Sequence, residues 1–137
     1  MKKTLIVVIL TLMSSFAFAG IEDRIIGTWI DIASTPENIL TFVFSSEENG
    51  GIHKSGFYIT SKSIGDDQFE PINKIEFDYY IYRGVLILQL KDKYVYKNGT
   101  FSYTGTSGEV LNDNVSIGVK DEVFYLIMGE DVYQKLN

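Results

Sequence analysis

Ile25-Ile26-Gly27-Thr28-Trp29-Ile30-Asp31 decides how the rest of the chain is read. It holds the only tryptophan, in a Gly-x-Trp that opens a strand expected over Thr28–Ala33. Everything downstream alternates between apolar and polar residues and is punctuated by turns. The physical reading is a barrel whose first strand plugs one end with an indole, since a large aromatic supplies most where it is fully buried. An inward Trp29 sets the parity of the strand: Asp31 and Ala33 share its side, while Ile30 and Ile32 face outward.

Beyond Ser34-Thr35-Pro36-Glu37-Asn38, a turn set by its proline, Ile39–Ser45 places Leu40, Phe42 and Phe44 on one face. Glu47 to Gly51 closes a hairpin, because Asn49-Gly50-Gly51 tolerates positive φ. A strand over Ile52–Ser61 follows, then a polar stretch, 62–71, expected as a longer loop. The clearest alternation spans Ile72–Tyr82: Ile75, Phe77, Tyr79 and Ile81 on one side, Lys74, Glu76, Asp78 and Tyr80 on the other. Val85–Leu90 brings Leu86, Leu88 and Leu90 together, Lys91-Asp92 reads as a turn, and Lys93–Lys97 meets the strong hairpin signal Asn98-Gly99. Phe101 and Tyr103 lie on the return strand. Asn112-Asp113-Asn114 reads as a break before Val115, Ile117 and Val119, and two short strands, Val123–Met128 and Val132–Leu136, end the chain.

Eight to ten strands at regular spacing, with a turn between each pair, are the signature of an all-β meander. Short consecutive hairpins favour an antiparallel up-and-down β-barrel of about eight strands over a Greek-key sandwich, and closure removes exposed edges. The only helical feature expected is one turn within residues 20–25; no C-terminal helix is expected.

Upstream, Lys2-Lys3, the apolar run Leu5–Met13 and Ala17-Phe18-Ala19 form the pattern of a secretory signal peptide cut after Ala19. The apolar run is too short for a membrane span. The expectation is a signal peptide over 1–19 and a single domain over 20–137, secreted or periplasmic, with no membrane anchor. Loss of Lys2 and Lys3 takes the net charge from −6 to −8. Such a field repels phosphate backbones and anionic lipid, which disfavours nucleic-acid and membrane-surface roles. With no cysteine there is no disulfide framework, and stability rests on burial.

Gly27-Thr28-Trp29, the hairpin strand Leu40-Thr41-Phe42 and the closing Asp131-Val132-Tyr133-Gln134-Lys135 resemble small bacterial lipocalin-like proteins of the calycin superfamily. The resemblance implies an eight-stranded antiparallel barrel and, as the usual role, binding of a small apolar ligand. The chain departs from neighbouring families. It lacks the Thr-Asp-x-x-Tyr segment and C-terminal helix of longer lipocalins. It has one tryptophan, where avidin-like barrels use several for biotin. Its only arginines, Arg24 and Arg83, fall at chain ends or turns, unlike the buried arginines of fatty-acid-binding barrels.

The candidate ligand-binding residues lining the interior are Trp29, Asp31, Phe42, Phe44, Phe77, Leu88, Tyr103 and Leu126. Trp29 reads first as a core plug and second as a stacking surface. Asp31 reads as a rim residue or a tyrosine partner; its sharper alternative is a ligand contact or general base. The single histidine, His53, follows a glycine turn without a local nucleophile and carboxylate, so no catalytic residue is assigned. One histidine and no cysteine make zinc improbable. Asp66-Asp67 with Glu70, and Asn112-Asp113-Asn114, read as solvated acidic turns rather than calcium loops. No metal and no cofactor are expected.

Function is therefore expected to be binding rather than catalysis. The leading reading is an exported, non-enzymatic lipocalin-like barrel that binds a small hydrophobic ligand or serves as a binding scaffold. The alternative is a protein-interaction module, such as an inhibitor of another exported protein, using Tyr80, Tyr82 or the segment 62–71.

Overall fold

The computed structural model describes residues 20–48 and 53–136. The signal-peptide reading and the Asn49-Gly50-Gly51 turn lie outside these residues. Within them the chain is all-β after one short helix, α1 (Ile21–Arg24). Nine antiparallel strands follow: β1 (Gly27–Asp31), β2 (Ile39–Glu48), β3 (Lys54–Gly65), β4 (Gln68–Tyr82), β5 (Val85–Lys97), β6 (Thr100–Thr106), β7 (Val110–Lys120), β8 (Val123–Met128) and β9 (Asp131–Lys135). They form one sheet in the order β4-β3-β2-β1-β9-β8-β7-β5-β6, and a further β4–β5 pairing closes it into a ring. Eight strands make the ring. β6 hangs outside it on β5 alone.

Period-2 alternation drives this arrangement. Trp29 on β1, Phe42 and Phe44 on β2, Phe77 and Tyr79 on β4, and Leu86, Leu88 and Leu90 on β5 all turn to the same side. They meet Val115, Ile117, Leu126, Met128 and Tyr133 from β7, β8 and β9 in one core cluster. Each large apolar side chain so buried contributes about 1.5–3 kcal/mol. α1 closes one end: Ile21 and Ile25 join the cluster, and the Trp29 indole Nε1–H donates to the Ile25 carbonyl at 2.7 Å.

Three segments differ from the sequence expectations. The expected loop over 62–71 is two paired strands joined by Asp66-Asp67, whose φ values of 51° and 58° close a hairpin in two residues. Aspartate tolerates this left-handed geometry, so a polar run that looked long needs little length. Pro71 sits opposite Ser61 beside a register shift, where a missing N–H does least harm. The expected turn at Lys91-Asp92 is instead the middle of a continuous β5. Lys91 stays extended because its Nζ pairs across the sheet with Asp78 Oδ2 at 2.9 Å, and a register shift between Ile75 and Phe77 absorbs the irregularity. The expected break at Asn112-Asp113-Asn114 is uninterrupted β7, paired with Ile87, Leu86 and Val85.

The length of β5 has a geometric consequence. Its first half, Val85–Gln89, pairs with β7, and its second half, Asp92–Lys97, pairs with β6. The far ends of β3, β4 and β5, together with β6, thus extend past the ring as a flap.

Candidate functional site

Of the eight residues expected to line the interior, Trp29, Phe42, Phe44, Phe77, Leu88 and Leu126 converge in the core cluster. Their rings touch: Phe42 lies 5.8 Å from Phe44 and 6.1 Å from Phe77 between centroids, and Phe44 lies 5.5 Å from Phe77. Trp29 is fully buried, with Lys135 Nζ 5.6 Å from the indole centroid. Tyr103 requires correction. It lies on β6, outside the ring, and is 58% exposed. The cause is the unexpected length of β5, which carries its partner strand past the interior.

Asp31 ends β1 opposite Tyr133. It is half-buried, and its Oδ1 accepts the Ala33 backbone N–H at 2.9 Å, tying the turn that follows the strand. The end of the ring to which Asp31 belongs, away from α1, carries residues outside the eight expected ligand contacts. Leu40, Tyr58, Ile75 and Leu111 are partly buried and pack onto the core cluster. Tyr58 lies 5.1 Å from Phe42 between ring centroids. Burial pushes its hydroxyl pKa up, and the charge of Glu109 pushes it further. Glu109 precedes β7, which is not a neighbour of β3 in the sheet. Tyr133 is buried; desolvation raises its pKa most, followed by the charges of Asp31, Asp131 and Asp113. Both hydroxyls thus keep their protons to higher pH than a free tyrosine does. The result is an apolar floor with two neutral phenols and two carboxylates, Asp31 and Glu109, around it. From the sequence, Tyr58 falls on an expected strand without an assigned face, and Tyr133 stands only in the closing motif; their meeting near one mouth depends on strand stagger.

Of the two tyrosines offered as contacts of a protein-interaction module, Tyr80 and Tyr82, only the second is exposed. Tyr80 is half-buried and stacks on His53, with centroids 4.8 Å apart and planes within 10°. Tyr82 is exposed, with the Arg83 guanidinium 5.2 Å from its ring centroid. A larger aromatic face lies on the flap. There Lys74 Nζ sits 5.4, 5.0 and 5.1 Å from the ring centroids of Phe57, Tyr94 and Phe101, and the Tyr94 hydroxyl donates to Glu76 Oε1 at 3.1 Å.

Among the described residues no group of three or more histidine, aspartate or glutamate side chains could hold a metal ion. Asp66 and Asp67 form a tight turn, and Asn112–Asn114 is strand. No helix of the described residues is long and apolar enough to cross a membrane. No protein-family model matches the chain, and neither a curated protein nor a solved structure matches it.

Proposed function

We propose that the chain is an exported, non-enzymatic, lipocalin-like barrel that binds a small, largely apolar molecule at the end of the ring opposite α1. The observation that carries this reading is the pairing of an apolar floor, Leu40, Tyr58, Ile75 and Leu111 over the core cluster, with the phenols of Tyr58 and the buried Tyr133. Small-molecule sites combine mostly apolar lining with a few polar groups that fix orientation. Neutral phenols suit a ligand with a hydroxyl or carbonyl at one end. Asp31 and Glu109 disfavour an anionic headgroup there. Because the interior rings already touch, the ligand rests on the floor at the mouth rather than displacing Phe42 or Phe77.

The test is native mass spectrometry of protein purified from its own host, followed by titration of the extracted compound against the stripped protein. A co-purifying small molecule whose affinity drops about fivefold in Tyr58→Phe, through loss of a hydrogen bond of about 1 kcal/mol, supports the proposal. A bare protein mass, or binding indifferent to both Tyr58→Phe and Leu40→Lys, rejects it.

The second reading, a protein-interaction module, draws on the β3–β4 hairpin tip. Ile64, Phe69 and Ile72 are exposed there, on the segment the sequence offered as a contact surface. Exposed apolar clusters of this kind are characteristic of interaction sites. Affinity capture from the secreted or periplasmic fraction with wild type and with Ile64→Ser/Phe69→Ser separates the two readings, since only this one requires a protein captured by the former and lost by the latter.

A further inference from the structure

β6 is held on one side only. β5 pairs with it through Lys97↔Thr100, Tyr96↔Phe101, Val95↔Ser102 and Tyr94↔Tyr103, and no described strand pairs with its second edge. Every other strand lies between two neighbours. Free edges are ordinarily blunted by charge, proline or a bulge. A register shift at Lys93/Tyr94 bends β6 beyond Tyr103, but Thr100–Tyr103 is regular. From Asn98 to Gly108 there is no charged residue and no proline. In a chain of net charge −6, whose copies repel one another elsewhere, the open edge of β6 is also uncharged.

Its side chains are pre-arranged as well. Phe101 and Tyr103 pack across the strand pair against Tyr96 and Tyr94, at 5.2 and 5.9 Å between ring centroids. The Tyr103 hydroxyl lies 2.6 Å from Thr106 Oγ1, which donates to Asp92 Oδ1 at 3.1 Å, so Tyr103 is the donor to Thr106. An exposed ring fixed in this way loses little further freedom when it is covered.

We propose that β6 is the seam of a homodimer, formed by antiparallel pairing with the β6 edge of a second copy about a two-fold axis at Ser102. In that register Ser102 meets its own counterpart and Phe101 meets the partner's Tyr103. Aromatic faces aromatic and hydroxyl faces hydroxyl, as cross-strand pairing favours, and the same patch serves both subunits, as a two-fold interface demands. The self-complementarity of this short neutral strand is what selects a second copy over an unrelated peptide. The proposal is independent of what the mouth of the ring binds.

Sedimentation equilibrium of the purified protein from micromolar to millimolar concentration tests it. The mass should rise toward twice that of the chain. Ser102→Lys sets two ammonium groups face to face from a single substitution and should weaken the dimer at least about tenfold, with the melting temperature of the dilute protein unchanged. Hydrogen exchange on the unsubstituted protein gives a readout that needs no variant: amides of Thr100–Tyr103 directed away from β5 should gain protection as concentration rises. A monomer at every concentration, a dimer indifferent to Ser102→Lys, or concentration-dependent protection confined to another surface would overturn the proposal. If Ser102→Lys lowers the melting temperature, the exchange measurement alone decides.

Discussion

Gly56 shows how one small residue sets the closeness of three strands. It pairs with Phe44 on β2 and with Phe77 on β4, two of the largest fully buried side chains. A Cβ there would meet the Val43 carbonyl oxygen and come within 2.7 Å of Phe77 Cε1. The backbone oxygen cannot give way, so Gly56→Ala should lower stability by about 1–3 kcal/mol, measured by urea denaturation, with no gain from the added methyl. Tyr79 poses a different constraint. Burial pushes its pKa from 10.0 up to about 12, and its hydroxyl donates to the Ser45 carbonyl at 2.8 Å, a bond that a phenolate cannot make. Below pH 10 folded and unfolded chains both keep the proton, and the contribution is intact. Between pH 10 and 12 only the unfolded chain releases it, so stability falls as pH rises, by up to about 1.4 kcal/mol per pH unit for this group. Denaturation midpoints across that window should decline less steeply in Tyr79→Phe than in wild type. The side of the sheet on which Trp29, Gly56 and Tyr79 lie follows from parity. The contacts they make across strands do not, because those depend on stagger between strands distant in sequence.

At the scale of single elements, the turns divide what the sequence disclosed from what it hid. Asn98-Gly99 announces a hairpin, and both residues take positive φ, 53° and 82°. Arg83-Gly84 does the same at 50° and 76°. Asp66-Asp67 adopts an equivalent turn without glycine, which is why β3 and β4 each looked shorter than they are. The alternation of β2, β4, β5 and β7 was readable because one face of each is buried. Polar interruptions at Lys91-Asp92 and Asn112–Asn114 were misread as turns, since nothing local reveals that a charged residue has a partner such as Asp78 on the next strand. Tyr103 was misplaced for that reason alone. Asp121-Glu122, between β7 and β8, carries the same left-handed geometry, at φ 51° and 67°; aspartate tolerates it, but Glu122 is a residue that does not favour it. Left-handed backbone costs a residue with a Cβ about 1–2 kcal/mol, and some of that is returned as added unfolded-state entropy when glycine replaces it. Glu122→Gly should therefore stabilise the protein by about 0.5–1 kcal/mol, seen as a raised melting temperature. The same change at Gln68, on regular strand just past the β3–β4 turn, should give no such gain.

The whole molecule depends on joining its ends. β1 and β9 come from opposite ends of the described chain, yet they pair through Trp29↔Lys135, Ile30↔Gln134 and Asp31↔Tyr133, and the Leu136 N–H adds a bond to the Thr28 carbonyl at 2.9 Å. Remove this strand and three things fail together. Tyr133 and Val132, both buried, leave the molecule and expose their neighbours Leu126 and Ile127 on β8. The edges of β1 and β8 lose their partners, and two long unpaired edges flanking an apolar interior are a template for aggregation. Lys135 no longer lies over Trp29 and Phe124, whose ring centroids it approaches at 5.6 and 5.8 Å. Truncation after Glu130 should therefore abolish cooperative unfolding and leave the protein in aggregates, as judged by light scattering and by exposure of Trp29 to an aqueous quencher. Because the missing piece is a strand and not a cofactor, a synthetic peptide spanning 131–137 should restore soluble, protected Trp29 when supplied during refolding. A scrambled peptide of the same composition should fail, because ring closure depends on register. A truncated chain that stayed monomeric and folded would mean that the eight-stranded ring is not the unit of stability, and that β2 to β5 hold the fold as an open sheet.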